Sequence, residues 1–313
     1  MPFTWTYDVP TGVYRSHAMS RKLYEKAYEE TFFMDFVRPV QGFGRKKGET
    51  VTLTRLGAVA EPSSAVLTEN VRIPEDTWSM STISITVTEM GRSIPFNSLS
   101  EDLSEYDIEN PIQDGLVQQQ KLVLDTAAAA AFKTAKVCYI PTGEAAGVWD
   151  TDGTPSTQAL ANWNVYHVEE IADYMYDTLR VPPWVGEDYV AIVRTLGLRG
   201  ITRDGTWEEW RKYTSPESKA NDEIGRLCNM RFIRTNHNNA LTKVGSGSCL
   251  GEGIVFGKDA VAMAEALTPE LRAAITADFG RSKAVAWYGI LAFGIIWDTA
   301  NAGEARIVRV TSS

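Results

Sequence analysis

The chain has 313 residues, 44% of them hydrophobic and 23% charged, with a net charge of -9 at neutral pH. That balance supports a real core, in about two domains or in one large domain carrying insertions. The acidity excludes a general grip on nucleic acid or on an anionic membrane surface, since both require basic protein.

Residues 1–40 read as an extended lead with one helix. Ser20 can cap it, Leu23, Ala27 and Tyr28 fill its first turns, Phe32 and Phe33 follow, and Pro39 and Gly42 end it. The opening residues lack the basic start and apolar stretch of a secretory signal. Arg45, Lys46 and Lys47 come next, at the base of two alternating segments. In the first, Val51 and Leu53 alternate with Thr50, Thr52 and Thr54. In the second, Ile83, Ile85 and Val87 alternate with Thr82, Ser84, Thr86 and Thr88. A period of two marks strands with one apolar and one polar face. The connection over residues 57–77, with Pro62 and Pro74, is too long for an ordinary hairpin. A two-stranded ribbon is marginal alone in water, so this one is expected to lie on a neighbouring subunit.

Pro95 and Asn97 are expected to break the pattern. The acids Glu101, Asp102, Glu105, Asp107 and Glu109 then lead into a strong helix start. Asn110 suits the cap, Pro111 the first helical position, and Gln113 the capping-box position. Residues 111–134 would form a helix about 36 Å long, a beam across a whole domain. The alanine run 127–131 permits close approach by another element, and equally reflects plain helix propensity. Residues 143–157 read as a loop. A second amphipathic helix follows, capped by Asn164, with Val168, Ile171, Ala172, Met175 and Leu179 on one face. Val181, Pro182, Pro183 and Trp184 stop it and mark a candidate domain boundary.

Residues 189–193 and 230–234 read as strands, with short helices over 196–201 and 207–213. Residues 236–253 read as loop, 253–257 as a short strand and 259–267 as a short helix. Residues 284–297 are almost wholly apolar, but 14 residues fall short of the ~20 that a spanning helix needs. Gly289 and Gly294 inside it favour a buried strand. Residues 306–310 form a last alternating strand.

Catalytic signals are sparse. Gly245, Gly247 and Gly251 miss the dinucleotide-loop spacing by one residue, and a surface loop is the better reading. His17, His167 and His237 form no metal-binding pair. Cys138, Cys228 and Cys249 make neither a disulfide framework nor a zinc spacing, and point to a reducing compartment. No nucleophile elbow is present. Trp207 and Trp210 could present a sugar platform, but core packing is the favoured reading.

The order of these pieces resembles the major capsid proteins of tailed bacteriophages, with the Hong Kong 97-type shell fold, and within them those similar to that of phage N4. The resemblance rests on residues 47–57, 67–70, 221–225, 230–233 and 284–289, spread over most of the chain. It implies an α+β fold with an N-terminal arm (1–41), an extended loop (42–95), a peripheral domain with its spine helix (96–183), an axial domain (184–266) and a return to the peripheral domain (267–313). It implies a shell of hexamers and pentamers around double-stranded DNA held by weak contacts, with portal protein, a separate scaffolding protein suggested by the short lead, and a possible decoration protein. The virion capsid is the implied location, with assembly in the bacterial host cytoplasm. Some relatives cross-link through a lysine in the extended loop, yet no lysine lies between Leu56 and Glu89 here.

No catalytic, cofactor or metal residues are expected. Inter-subunit contacts are expected from Arg45, Lys46, Lys47, Arg55, Glu69, Arg72 and Trp78, with the cations meeting an acidic surface that includes Glu101, Asp102, Glu105, Asp107 and Glu109. Residues 101–125 hold seven acids against Lys121 alone. Two other readings stay open: an encapsulin-like cellular compartment loaded with an enzyme, and an aromatic-rich carbohydrate-active enzyme that would run as a small monomer.

Overall fold

A computed structural model describes residues 28–40, 43–46, 48–57, 59, 61–62, 64–69, 71–97, 109–154, 157–205, 223–241, 251–277, 282–297 and 304–313. The strands are β1 (Arg38–Pro39), β2 (Thr50–Leu56), β3 (Met80–Thr86), β4 (Thr88–Asn97), β5 (Cys138–Gly143), β6 (Ala146–Asp150), β7 (Tyr189–Arg194), β8 (Glu223–Leu227), β9 (Met230–Thr235), β10 (Gly251–Phe256), β11 (Val261–Ala277), β12 (Ser282–Ile295) and β13 (Ile307–Ser312). The helices are α1 (Glu109–Lys133), α2 (Val165–Asp173) and α3 (Arg199–Arg203).

Seven strands form a mixed sheet in the order β6-β5-β13-β10-β7-β9-β8. Its central strands are covered on both faces, so β7 reads as a continuous apolar run rather than an alternating one. Ala191 and Val193 pack with Val255 against Val168, Ile171 and Met175 of the α2 segment. Val190 and Ile192 turn the other way, with Ile254 and Phe256, onto Ala128, Ala129 and Phe132 of α1. Small side chains there let α1 approach closely. The Phe132 ring lies tilted 4.8 Å from Phe256 and 5.6 Å from Phe33, which sits in a 3-10 turn at Phe33–Phe36. Asn164 caps α2 as expected, its side chain accepting the His167 N–H.

A second sheet has the order β1-β11-β12-β4. The N-terminal half of α1 lies on it through Ile112 and Leu116, which pack with Val285 and Trp287. The 25-residue α1, about 38 Å long, therefore bridges both sheets. The ribbon β2–β3 is a separate antiparallel pair.

Several expectations are corrected. Residues 259–267 were expected as helix, but most of them belong to β11, a 17-residue strand pairing with β12 and, at Ala262 and Met263, with β1. Tertiary pairing overrides the helix propensity of Ala, Met, Glu and Leu. Residues 143–157 contain β6, which returns against β5 as a hairpin. Pro95 does not end the strand, and Asn97 is its last residue. They lie in β4, an edge strand, where a missing N–H can face outward. Asn110 is inside α1 rather than capping it, and Gln113 donates to Glu109 instead (3.1 Å). Tyr28 to Phe32 are irregular, so the expected lead helix does not include them, and its earlier residues lie outside the described set. The short helix expected over 196–201 falls at Arg199–Arg203. Residues 207–213, with Trp207 and Trp210, as well as His17 and Cys249, also lie outside the described residues.

Candidate functional site

The ribbon and the sheet that supports it form the candidate site. On its outer face Thr50 and Thr86 hydroxyls meet at 3.0 Å, and Thr52 and Ser84 at 3.5 Å. Such cross-strand pairs hold register where no core does. On the inner face Ile85 is buried, and packs with Ala262 and Ala264 beside the half-buried Val51 and Leu53. Gly294 of β12 lies directly beneath it. A Cβ there would stand 2.8 Å from Ile85 Cγ1, so glycine at this position is required by the close approach. The ribbon root therefore has an apolar bed on its own chain. This corrects the expectation that the whole ribbon must borrow one.

Charge pins the same root. Arg55 Nε donates to Ser81 Oγ (3.2 Å) and Nη1 to the Ile296 carbonyl (3.2 Å), with the guanidinium 6.0 Å from the Trp297 ring. Arg306 stands 4.6 Å over the same ring. Asp259, in a left-handed conformation (φ 56°), takes Arg38 at 2.7 Å and Arg306 at 3.9 Å. Burial pulls the Arg306 guanidinium below its ordinary value, and Asp259 opposes this. Two arginines thus approach one indole at the root of the ribbon.

The tip is different. Trp78 Nε1 donates to the Gly57 carbonyl (2.9 Å), and the Gly57 N–H to Ser79 O (3.0 Å), closing the ribbon. Beyond this point apolar side chains stand in solvent: Val66 is 87% exposed and Ile73 65%, and Val59, Leu67 and Val71 are exposed too. Contiguous exposed apolar side chains mark an interaction surface.

The sequence-predicted contact residues are spread over several elements. Arg45 and Lys46 occupy an exposed turn before β2, Lys46 with φ 65°. Arg55 and Trp78 are engaged within the ribbon and its root, as above. Glu69 is exposed, and Arg72 pairs with Glu75 on the arm surface. Glu109 opens α1. Lys47, Glu101, Asp102, Glu105 and Asp107 lie outside the described residues. Asp125, counted with the acidic surface from the sequence, is wholly buried and leaves that set.

Among the described residues, no cluster of three or more His, Cys, Asp or Glu is arranged to hold a metal ion. No described helix is long and apolar enough to cross a membrane. Burial pushes the Cys138 and Cys228 thiols up to about 11, which leaves them unreactive near neutrality. His167 is buried against the Tyr139 hydroxyl (2.8 Å), and burial lowers its affinity for a second proton.

No protein-family model matches the chain, and no curated protein does. Solved structures do. The capsid structure of Helicobacter pylori bacteriophage KHP30 matches with 13% identity over 97% of each chain and a TM-score of 0.73. The capsid asymmetric unit of cyanophage Pam1 matches with 12% identity over 98% of each chain and a TM-score of 0.72. The capsid of Ralstonia phage GP4 matches with 14% identity over 96% of each chain and a TM-score of 0.71. The architecture is thus that of bacteriophage capsid chains. More particularly it is the α+β Hong Kong 97-like fold.

Proposed function

We propose that this chain is a structural major capsid protein, assembling into an icosahedral shell that encloses phage double-stranded DNA. The observation that carries the reading is the arm: its root is bedded and pinned on its own chain, while its tip presents apolar side chains to solvent. An arm built this way contributes surface to a neighbour, and neighbours arranged about rotational axes close a shell. Likeness of fold to phage capsids over nearly the whole chain supports the same reading.

In this proposal the subunits form hexamers and pentamers, with a scaffolding protein, a portal and a decoration protein as partners. The enclosed DNA is held weakly, in keeping with the net charge of -9. The shell is the virion capsid, assembled in the bacterial host cytoplasm. The division into 1–41, 42–95, 96–183, 184–266 and 267–313 belongs to the proposal. The seven-stranded sheet draws β5–β6, β7–β10 and β13 from three of those units, so they share strands. Arg45, Lys46 and Lys47 would meet the acids preceding α1 across an interface, mostly guiding encounter.

Dynamic light scattering and negative-stain microscopy of the purified chain test the reading. Closed particles of uniform size are expected. A stable monomer at all concentrations, with or without a scaffold, overturns it. Particles that load an enzyme instead of DNA would select the cellular-compartment reading.

A further inference from the structure

Asp125 sits in the middle of α1, wholly buried, a position where a carboxylate must be fully partnered. Its Oδ1 accepts the N–H of Phe33 (2.7 Å) and that of Met34 (3.4 Å). Its Oδ2 accepts from His237 Nδ1 at 2.9 Å. His237 is 1% exposed, and its Nε2 faces Thr126 Oγ1 at 3.3 Å and Glu29 Oε2 at 3.6 Å. Thr126 has one hydroxyl proton, and it goes to the Leu122 carbonyl at 2.8 Å. Thr126 therefore offers Nε2 only a lone pair, and Glu29 offers a carboxylate. Each ring nitrogen thus faces an acceptor, an arrangement that a proton on both satisfies.

We infer that His237 is held as an imidazolium, and that this proton clasps residues 28–34 onto α1 and the turn after β9. The lead, α1 and the turn after β9 meet at the ring. The lead brings Glu29, whose carboxylate also accepts the Asn238 N–H (3.1 Å), while the Glu30 N–H donates to Asn236 Oδ1 (2.8 Å). Asp35, in the 3-10 turn, faces the charge of Asp125, and its carboxyl is raised by burial and by Asp125. From β7, Arg194 holds the turn through Leu241 O and Asn238 Oδ1. Removing the proton leaves Nε2 as a bare acceptor against a carboxylate and a hydroxyl lone pair. The link to Glu29 then becomes repulsive, and the lead loosens from the body. The clasp stands whether or not the chain builds a shell.

The test uses the full chain labelled with ¹⁵N-histidine, which has only three histidines to resolve. Both His237 ring nitrogens should carry the protonated signature in the folded chain at pH 6. As pH rises, loss of that signature should coincide with an about 10- to 100-fold fall in the amide protection factors of Phe33 and Met34, the loss expected for a buried charged hydrogen bond. Protection in β7 and β10 should stay unchanged. Glu29→Gln, at a half-exposed site, should move release to lower pH. A neutral His237 ring at pH 6, or protection of Phe33 and Met34 that ignores the ring's titration, overturns the inference.

Discussion

Cutting the arm at its root and at its tip should have opposite consequences. Ile85→Ala removes the one ribbon side chain that is 5% exposed or less. That side chain packs on Ala262, Ala264 and the Gly294 backbone, with the half-buried Val51 and Leu53 beside it. Buried isoleucine-to-alanine changes cost ~2–5 kcal/mol, and partial closure of the gap by Val51 and Leu53 over a small-residue floor places this one at about 3 kcal/mol. The double variant Val66→Ser, Leu67→Ser touches exposed residues and should change monomer stability by no more than about 1 kcal/mol. In a shell those two side chains would be covered. Each is worth ~1.5–3 kcal/mol when buried, so each arm contact should weaken by about 3–6 kcal/mol. Urea unfolding with hydrogen exchange of β2 and β3 reads the first effect. Light scattering against protein concentration reads the second. If the tip double variant destabilises the monomer as much as Ile85→Ala, the tip is bedded on its own chain. If it assembles at the wild-type concentration, the tip is not a contact. Either result refutes the reasoning.

Reversing charge at residues 45–47 should impair assembly in light scattering while leaving the urea midpoint of the monomer near wild type; normal particles would remove these residues from the interface. The Cys138 thiol has an ordinary value of 9.0 and is pushed to about 11 by burial. The folded chain therefore keeps its proton longer than the unfolded chain, so the contribution is complete below pH 9 and is lost between about 9 and 11. Two pKa units correspond to about 2.7 kcal/mol at most. Cys138→Ala should flatten that part of the stability–pH curve relative to wild type, measured by urea unfolding at each pH. Gly200→Ala should destabilise by ~1–3 kcal/mol or more, because its Cβ would lie 2.3 Å from the Trp163 carbonyl oxygen, a backbone atom that cannot swing away. A urea midpoint equal to wild type would show that α3 moves freely.

The parts of the fold legible in the sequence are those whose partners impose a simple period. Thr50 to Thr54 alternate because one ribbon face meets solvent. Tyr189 to Val193 are continuously apolar because helices cover both faces of β7. The glycines at 289 and 294 mark places where other groups press on β12: Pro269 at one, Ile85 at the other. What stayed hidden depends on distant partners. Nothing near Ala264 or Glu265 signals that Ala292 and Leu291 will pair with them. Asp125 reads as one more acid of a charged stretch, since its partners Phe33 and His237 are 92 and 112 residues away. The signal that could have found it is its position on the face of α1 shared by Leu124, Ala128 and Phe132, where a lone carboxylate demands a buried donor.

The splice between arm and body has a mechanical meaning. Strand β3 passes through the single residue Val87 into the ten-residue β4, which runs antiparallel to β12 from Thr88 opposite Leu291 to Asn97 opposite Ser282. A tug along the arm would load that ladder lengthwise, so its bonds must yield together, whereas a sideways peel would open them one after another. A wall made of such units would resist stretching along its arms far better than lifting of them.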